Sequence, residues 1–173
     1  MTSNEAKRLR SSEPDLKVVL GSGDTETIHW YHSQTLASKS KYIDTMLSVP
    51  MKERDEFVIS FPDIEHATWL KMMMLLDNPI AARQMTARDA LDVAALYDKY
   101  EFIEGRNLCS YVIVDYFKTI PGMEDKYSID LDFIIDLVIL AHSANMDDAF
   151  EVSIKYIWAK LSSFALPYGR MSK

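Results

Sequence analysis

Residues 15–43 read DLKVVLGSGDTETIHWYHSQTLASKSKYI, and the periodicity of this stretch decides the fold. Leu16-Lys17-Val18-Val19-Leu20 is a strand pattern with β-branched residues at its centre. Gly21-Ser22-Gly23-Asp24 has turn chemistry, and Thr27-Ile28-His29-Trp30-Tyr31 is the return strand, so the two segments predict a hairpin. The glycines do not make a phosphate loop, because no third glycine follows and no helix opens behind them. His32 to Ser38 then predicts a short helical turn. Ser40 to Leu47 predicts a second helix, N-capped by Ser40, with Tyr42, Ile43, Met46 and Leu47 at helical spacing.

Downstream, Val49-Pro50 ends that helix and Met51 to Glu56 is a charged loop. Phe57 to Phe61 predicts a third strand with Phe57, Ile59 and Phe61 on one face. Ile64 to Asp77 predicts a helix whose apolar side carries Trp69, Met72, Met73 and Leu76; Asn78-Pro79 breaks it, and a loop follows. Thr86 caps a helix reaching about Tyr100, with Ala90, Val93, Ala94 and Tyr97 as its buried stripe. Residues Ile103 to Phe117 form the next helix, turning Leu108, Cys109, Val112, Ile113 and Tyr116 inward, and Pro121-Gly122 closes the unit.

Two more helices are expected. Asp130 to His142 is so apolar that it should be largely buried, whereas Asp147 to Leu161 is amphipathic through Phe150, Ile154, Ile157, Trp158 and Leu161. A shift of 44 residues lays Leu91 on Ile135, Asp92 on Asp136, Val93 on Leu137, Leu96 on Leu140, Phe102 on Met146, Leu108 on Val152 and Ile113 on Ile157. The hairpin at 86–117 therefore has an echo at 130–161, although two copies fall short of the three or more that define a solenoid. The fold class is α+β: a small, mainly three-stranded sheet flanked by helical hairpins. Residues 1–14 are expected to be a disordered tail, 15–116 a domain, and 117–173 a helical extension.

Composition narrows the function. Of 173 residues, 48% are hydrophobic and 26% charged, ordinary for a chain that builds a core. The net charge of −7 and the lack of a basic stripe speak against nucleic-acid binding; Lys7-Arg8-Leu9-Arg10 is too short a cluster to count. Cys109 is the single cysteine, which fits a reducing compartment. The polar first 14 residues hold no signal-peptide core, and the apolar run at 133–141 is broken by Asp136 and too short to span a bilayer. A cytoplasmic or nuclear protein that binds neither membrane nor nucleic acid is expected.

No catalytic, cofactor or metal constellation emerges. His29, His32, His66 and His142 are scattered; His29 and His32 are close but lack a third ligand. There is no Gly-x-Ser-x-Gly elbow, and no triad assembles from local spacing. Met72-Met73-Met74 covers both core and exposed helical directions, so it is read as core filling. The chain is expected not to be an enzyme.

Several separated stretches resemble the BTB/POZ family. Asp15 to Gly21 is similar to the family's opening strand with its leading aspartate. His32-Ser33-Gln34-Thr35-Leu36-Ala37-Ser38-Lys39-Ser40-Lys41-Tyr42-Ile43 resembles its histidine, Leu-Ala, Ser and aromatic signature. Ile59-Ser60-Phe61-Pro62-Asp63-Ile64 resembles its third strand and exit. Ala94-Ala95-Leu96-Tyr97-Asp98-Lys99-Tyr100, followed by Leu108-Cys109, is similar to its Ala-Asp-Lys-Tyr helix and what comes after. The likeness spans residues 15–116 in the family's order. Two positions depart from it: Asp77-Asn78-Pro79 stands where the family has an aromatic and Thr-Gly, and Ser33 stands where the transcription-factor branch has a basic residue beside the leading aspartate. The second departure argues against corepressor recruitment through a charged pocket.

The resemblance implies a self-associating scaffold. Homodimerisation would run through the first two short helices, with Leu36, Tyr42, Ile43, Met46 and Leu47 as contact residues, some of them shared with the monomer core. It further implies an adaptor of a cullin-3 ubiquitin ligase. Met51-Lys52-Glu53 matches the hydrophobic-x-Glu triplet of cullin-binding members, and the helix pair at 130–161 matches the pair that enlarges their cullin groove. The alternative is a structural homo-oligomerisation module, or a regulator without ligase function.

Overall fold

The structure, a computed structural model, describes residues 13–50, 55–120 and 130–165. Its class is α+β, as expected: three strands and eight helices among the described residues. Strands β1 (Leu16–Leu20) and β2 (Thr27–Tyr31) form the antiparallel hairpin, in a register pairing Leu16 with Tyr31 and Leu20 with Thr27. Gly21 and Gly23 both sit at positive φ in the connection, where a Cβ would be strained. Helices α1 (Ser33–Lys39) and α2 (Lys41–Ser48) then lead to β3 (Val58–Phe61), which returns parallel to β1, so the sheet order is β2-β1-β3. Its inner face buries Leu16, Val18, Leu20, Ile59 and Phe61.

Helix α3 (His66–Asp77) packs Trp69 and Met72 against that face; Trp69 stacks on Phe61 and donates its indole N–H to the Tyr31 hydroxyl at 2.8 Å. Helix α4 (Pro79–Arg83) follows at once. Then come α5 (Ala87–Lys99) and α6 (Ile103–Thr119), and beyond them α7 (Leu131–Ser143) and α8 (Asp147–Ala165). One hydrophobic core runs from the sheet through all these layers, with α7 packed on α5 and α8 on α6. The 15–116 unit and the described part of the extension thus share a core.

The 44-residue echo holds at the level of single hydrogen bonds. Thr86 and Asp130 are the matching N-caps, accepting from Asp89 N and Phe133 N. Glu101 and Asn145 are the matching left-handed residues at the hairpin turns. Phe102 N donates to Tyr97 O at 2.8 Å, and Met146 N to Ala141 O at 2.9 Å, the same closing bond in both copies. Cys109 and Ser153 are the matching fully buried positions of α6 and α8.

Several boundaries and faces differ from expectation. Phe57 lies outside β3 with φ of 55°, so it does not share the face of Ile59 and Phe61. Ile64 precedes α3 in a turn closed by its N–H on Phe61 O. The expected loop after Asn78 is helix α4: Asn78 ends α3 and at the same time caps α4, with Pro79 at the first helical position where a missing N–H costs nothing. Helix α7 is not buried all round; Leu131, Ile135 and Ile139 are exposed. On α8 the inward face is centred on Ala149 and Ser153, while Trp158 and Leu161 of the expected stripe point to solvent. The tail expected over 1–14 lies outside the described residues except for Glu13 and Pro14.

Candidate interaction surfaces

The residues that carry the sequence motifs bond to one another. Asp15, at the foot of β1, accepts from the Ser33 N–H at 2.7 Å and the Ser33 hydroxyl at 2.8 Å. It thereby caps α1, whose own N-cap His32 makes no side-chain cap bond. Ser33 occupies both oxygens of the leading aspartate, so the two residues form a structural clasp. Ser40 is fully buried; its hydroxyl accepts from Ile43 N at 3.1 Å and donates to Tyr100 O at 2.7 Å. Lys41 N donates to Glu101 O beside it. Asp63 receives Lys99 Nζ and the Tyr100 hydroxyl, and these two bonds hold its carboxyl below the usual carboxylate range. The α5–α6 turn is thus pinned to α2 and to the exit of β3.

These pins orient α1 and α2 on the surface. Leu36 and Ile43 are buried in the monomer core. Tyr42 is drawn inward too, its ring 5.3 Å from Tyr100 in an edge-on contact. Of the three half-buried residues among the five expected contact residues, Tyr42 packs on Tyr100, while Met46 and Leu47 are aliphatic and sit next to exposed Val49. The triplet Met51, Lys52, Glu53 lies outside the described residues. Its anchor points are Pro50, exposed at the end of α2, and Asp55, exposed ahead of β3.

A surface that pattern reading missed lies on the outer face of the sheet. Ile28 and Trp30 point outward from the edge strand β2, opposite Val19 and Lys17 of β1. Strict alternation in Thr27-Ile28-His29-Trp30-Tyr31 carries the signal: His29 and Tyr31 take the core side, so Ile28 and Trp30 must face away.

The titratable groups are arranged differently from the sequence expectation. His29 meets His66 rather than His32: Nε2 of one and Nδ1 of the other are 2.9 Å apart, with the rings 4.9 Å apart. One imidazole must donate and the other accept, so at least one is neutral. Burial, and secondly the charge of His66, lower the pKa of His29 from 6.5. The unfolded chain therefore takes up more protons than the folded one as pH falls below about 6.5. The contribution of His29 is complete above that value and lost as pH drops through its folded pKa. The thermal midpoint should fall between pH 7.5 and 5.5, and His29→Gln should flatten that slope; an equal slope in the variant contradicts the assignment. Burial pushes the Cys109 thiol up to about 12 and keeps it protonated within the core. Among the described residues no three His, Cys, Asp or Glu side chains are placed to hold a metal ion. Nor is any described helix long and apolar enough to cross a membrane.

The class defined by this geometry is an α+β domain with a clasped helix pair beside its sheet and a doubled helical hairpin stacked behind it. Among known proteins, no family model matches the chain, and no curated protein is measurably similar to it.

Proposed function

We propose that this chain is a protein-interaction module of the BTB/POZ kind, which self-associates and recruits a partner, as an adaptor of a cullin-3 ubiquitin ligase. The observation that carries this reading is the mutual bonding of the motif residues. Asp15 holds Ser33, Ser40 holds Tyr100, and Asp63 holds Lys99 and Tyr100, each bond joining two separate stretches of the resemblance. The β2-β1-β3 order, with α1 and α2 inserted before the parallel strand, supports it further.

Recruitment is assigned to Met51, Lys52 and Glu53, between α2 and β3 in the chain. Met51 would fill an apolar groove on the cullin, contributing about 1.5–3 kcal/mol if fully buried. Glu53 would fix orientation through a charge-assisted hydrogen bond. Stacking of α7–α8 behind α5–α6 suits a widened groove. Recruitment through a charged pocket at the leading aspartate is not part of this reading, because Ser33 occupies both carboxylate oxygens of Asp15.

Self-association is assigned to α1 and α2, through Met46 and Leu47. Light scattering at micromolar concentration should give a dimer for the wild type and a monomer for Leu47→Glu, with the variant's circular dichroism unchanged. A monomeric wild type, or a folded variant that stays dimeric, rules out this contact.

A further inference from the structure

The internal repeat shows what belongs on the outer face of the second hairpin. On that face Leu131 is 68% exposed, Ile135 50% and Ile139 59%, all from α7, with Trp158 at 66% and Leu161 at 57% from α8. The two helices are antiparallel, and the His142 ring lies 5.1 Å from the Phe150 ring near their joining turn. From that contact, equal rise along both helices brings Ile135 within one residue of the level of Trp158, and Leu131 level with Leu161. These five exposed apolar side chains stand on two helices packed against each other, and exposed apolar surface of this kind marks interaction sites.

The 44-residue shift gives each position a counterpart in the first hairpin. Leu131 corresponds to Ala87, Ile135 to Leu91, Ile139 to Ala95, Trp158 to Val114 and Leu161 to Phe117. In the first hairpin, Ala87 and Phe117 are buried and Leu91 and Val114 half-buried, while Ala95, the counterpart of Ile139, is exposed at the edge of the covered face. That hairpin carries another on top of it: Arg88 lies 4.6 Å over the Phe133 ring of α7, and the Phe117 ring is 5.5 Å from Tyr156 of α8. The face that receives a helix hairpin in the first copy is therefore the face left exposed, and made larger and more apolar, in the second.

Charge selects the occupant. In the covered interface Arg88 of α5 meets Asp130, the N-cap of α7. Its counterpart on the outer face is Asp132, and Asp136 stands one turn further along the same exposed flank. An arriving acidic helix would be repelled there. A second copy packed face to face would set these aspartates against their own kind. We infer that the outer face of α7–α8 docks a helix of another polypeptide, with an apolar stripe at i, i+4 spacing and basic residues beside it. This site is separate from both the α1–α2 contact and residues 51–54.

A labelled peptide of residues 130–144 carrying Leu131→Lys, Asp132→Lys, Ile135→Lys, Asp136→Lys and Ile139→Lys serves as the probe. It keeps the inward stripe of α7, which covers α5, and is basic elsewhere. The full chain should bind it saturably, with a blue shift of Trp158 emission in a Trp30→Phe background. Affinity should drop about tenfold or more in Ile135→Asp, as for loss of a central anchor. Ile135 is half exposed, so the variant should keep its thermal midpoint. Absence of saturable binding overturns the inference, as does equal affinity in Ile135→Asp. A wild-type dimer that Ile135→Asp converts to monomer without the peptide overturns it in favour of a second copy. Leu47→Glu should leave peptide binding unchanged, so failure of the α1–α2 dimer is read separately.

Discussion

Gly105→Ala is expected to destabilise the protein by about 2 kcal/mol, although alanine is the better helix former by about 1 kcal/mol. Gly105 lies in the first turns of α6, and a Cβ built there would come within 2.5 Å of the Tyr97 ring. That ring has little freedom to retreat. Tyr97 is fully buried, its hydroxyl donates to Met72 O at 2.7 Å, and its ring packs edge-on against Phe102. Overpacking of this kind costs about 1–3 kcal/mol and at times more, so the clash outweighs the propensity gain. At the matching positions of the second hairpin, Ala141 and Ala149 are both fully buried. A large residue with a glycine in one copy is thus replaced by two small ones in the other. Tyr97→Ala leaves a cavity of its own, and the double variant Tyr97→Ala/Gly105→Ala should lose less than the sum of the singles. Urea unfolding of the four proteins measures this coupling; strict additivity contradicts the assigned contact.

Ser40→Ala should cost a similar amount, about 2–3 kcal/mol, for a different reason. The Ser40 hydroxyl caps α2 through Ile43 N and satisfies Tyr100 O in a site closed to water. Loss of an N-cap costs about 0.5–2 kcal/mol, and a buried carbonyl left without a partner about 1–3 kcal/mol. Ser40→Gly separates the two, because glycine is tolerated as a cap and cannot reach Tyr100. If the carbonyl bond dominates, both variants lose nearly the same stability. A loss below about 0.5 kcal/mol for Ser40→Ala contradicts the burial of this bond.

Much of this architecture is written in local pattern. Ser40 and Thr86 stand as caps before apolar-periodic runs, and both accept the capping N–H bond. The 44-residue echo was legible because a repeated hairpin repeats its caps, its turn and its small buried positions. Other features were not legible because they depend on which face meets a neighbour. Apolar composition predicts burial of α7, yet the protein covers only the side formed by Phe133, Ile134, Leu137, Leu140 and Ala141. Pro79 stops one helix and starts the next, and only the geometry at Asn78 shows that both occur. The Asp15–Ser33 clasp, the His29–His66 pair and the Tyr97–Gly105 contact join residues across turns and layers, so no periodicity marks them. The dimer assignment divided for the same reason: Leu36 and Ile43 have the same helical spacing as Met46 and Leu47 but face the core.

The reading as a cullin-recruiting scaffold rests most directly on one mixing experiment. The chain and a cullin-3 N-terminal region, combined at micromolar concentration and separated by size exclusion, should elute as a complex. Met51→Asp should abolish that complex while leaving the thermal midpoint unchanged. Failure of the wild type to co-elute, or a complex that survives Met51→Asp, contradicts the account and leaves a homo-oligomerisation module or a regulator without ligase function.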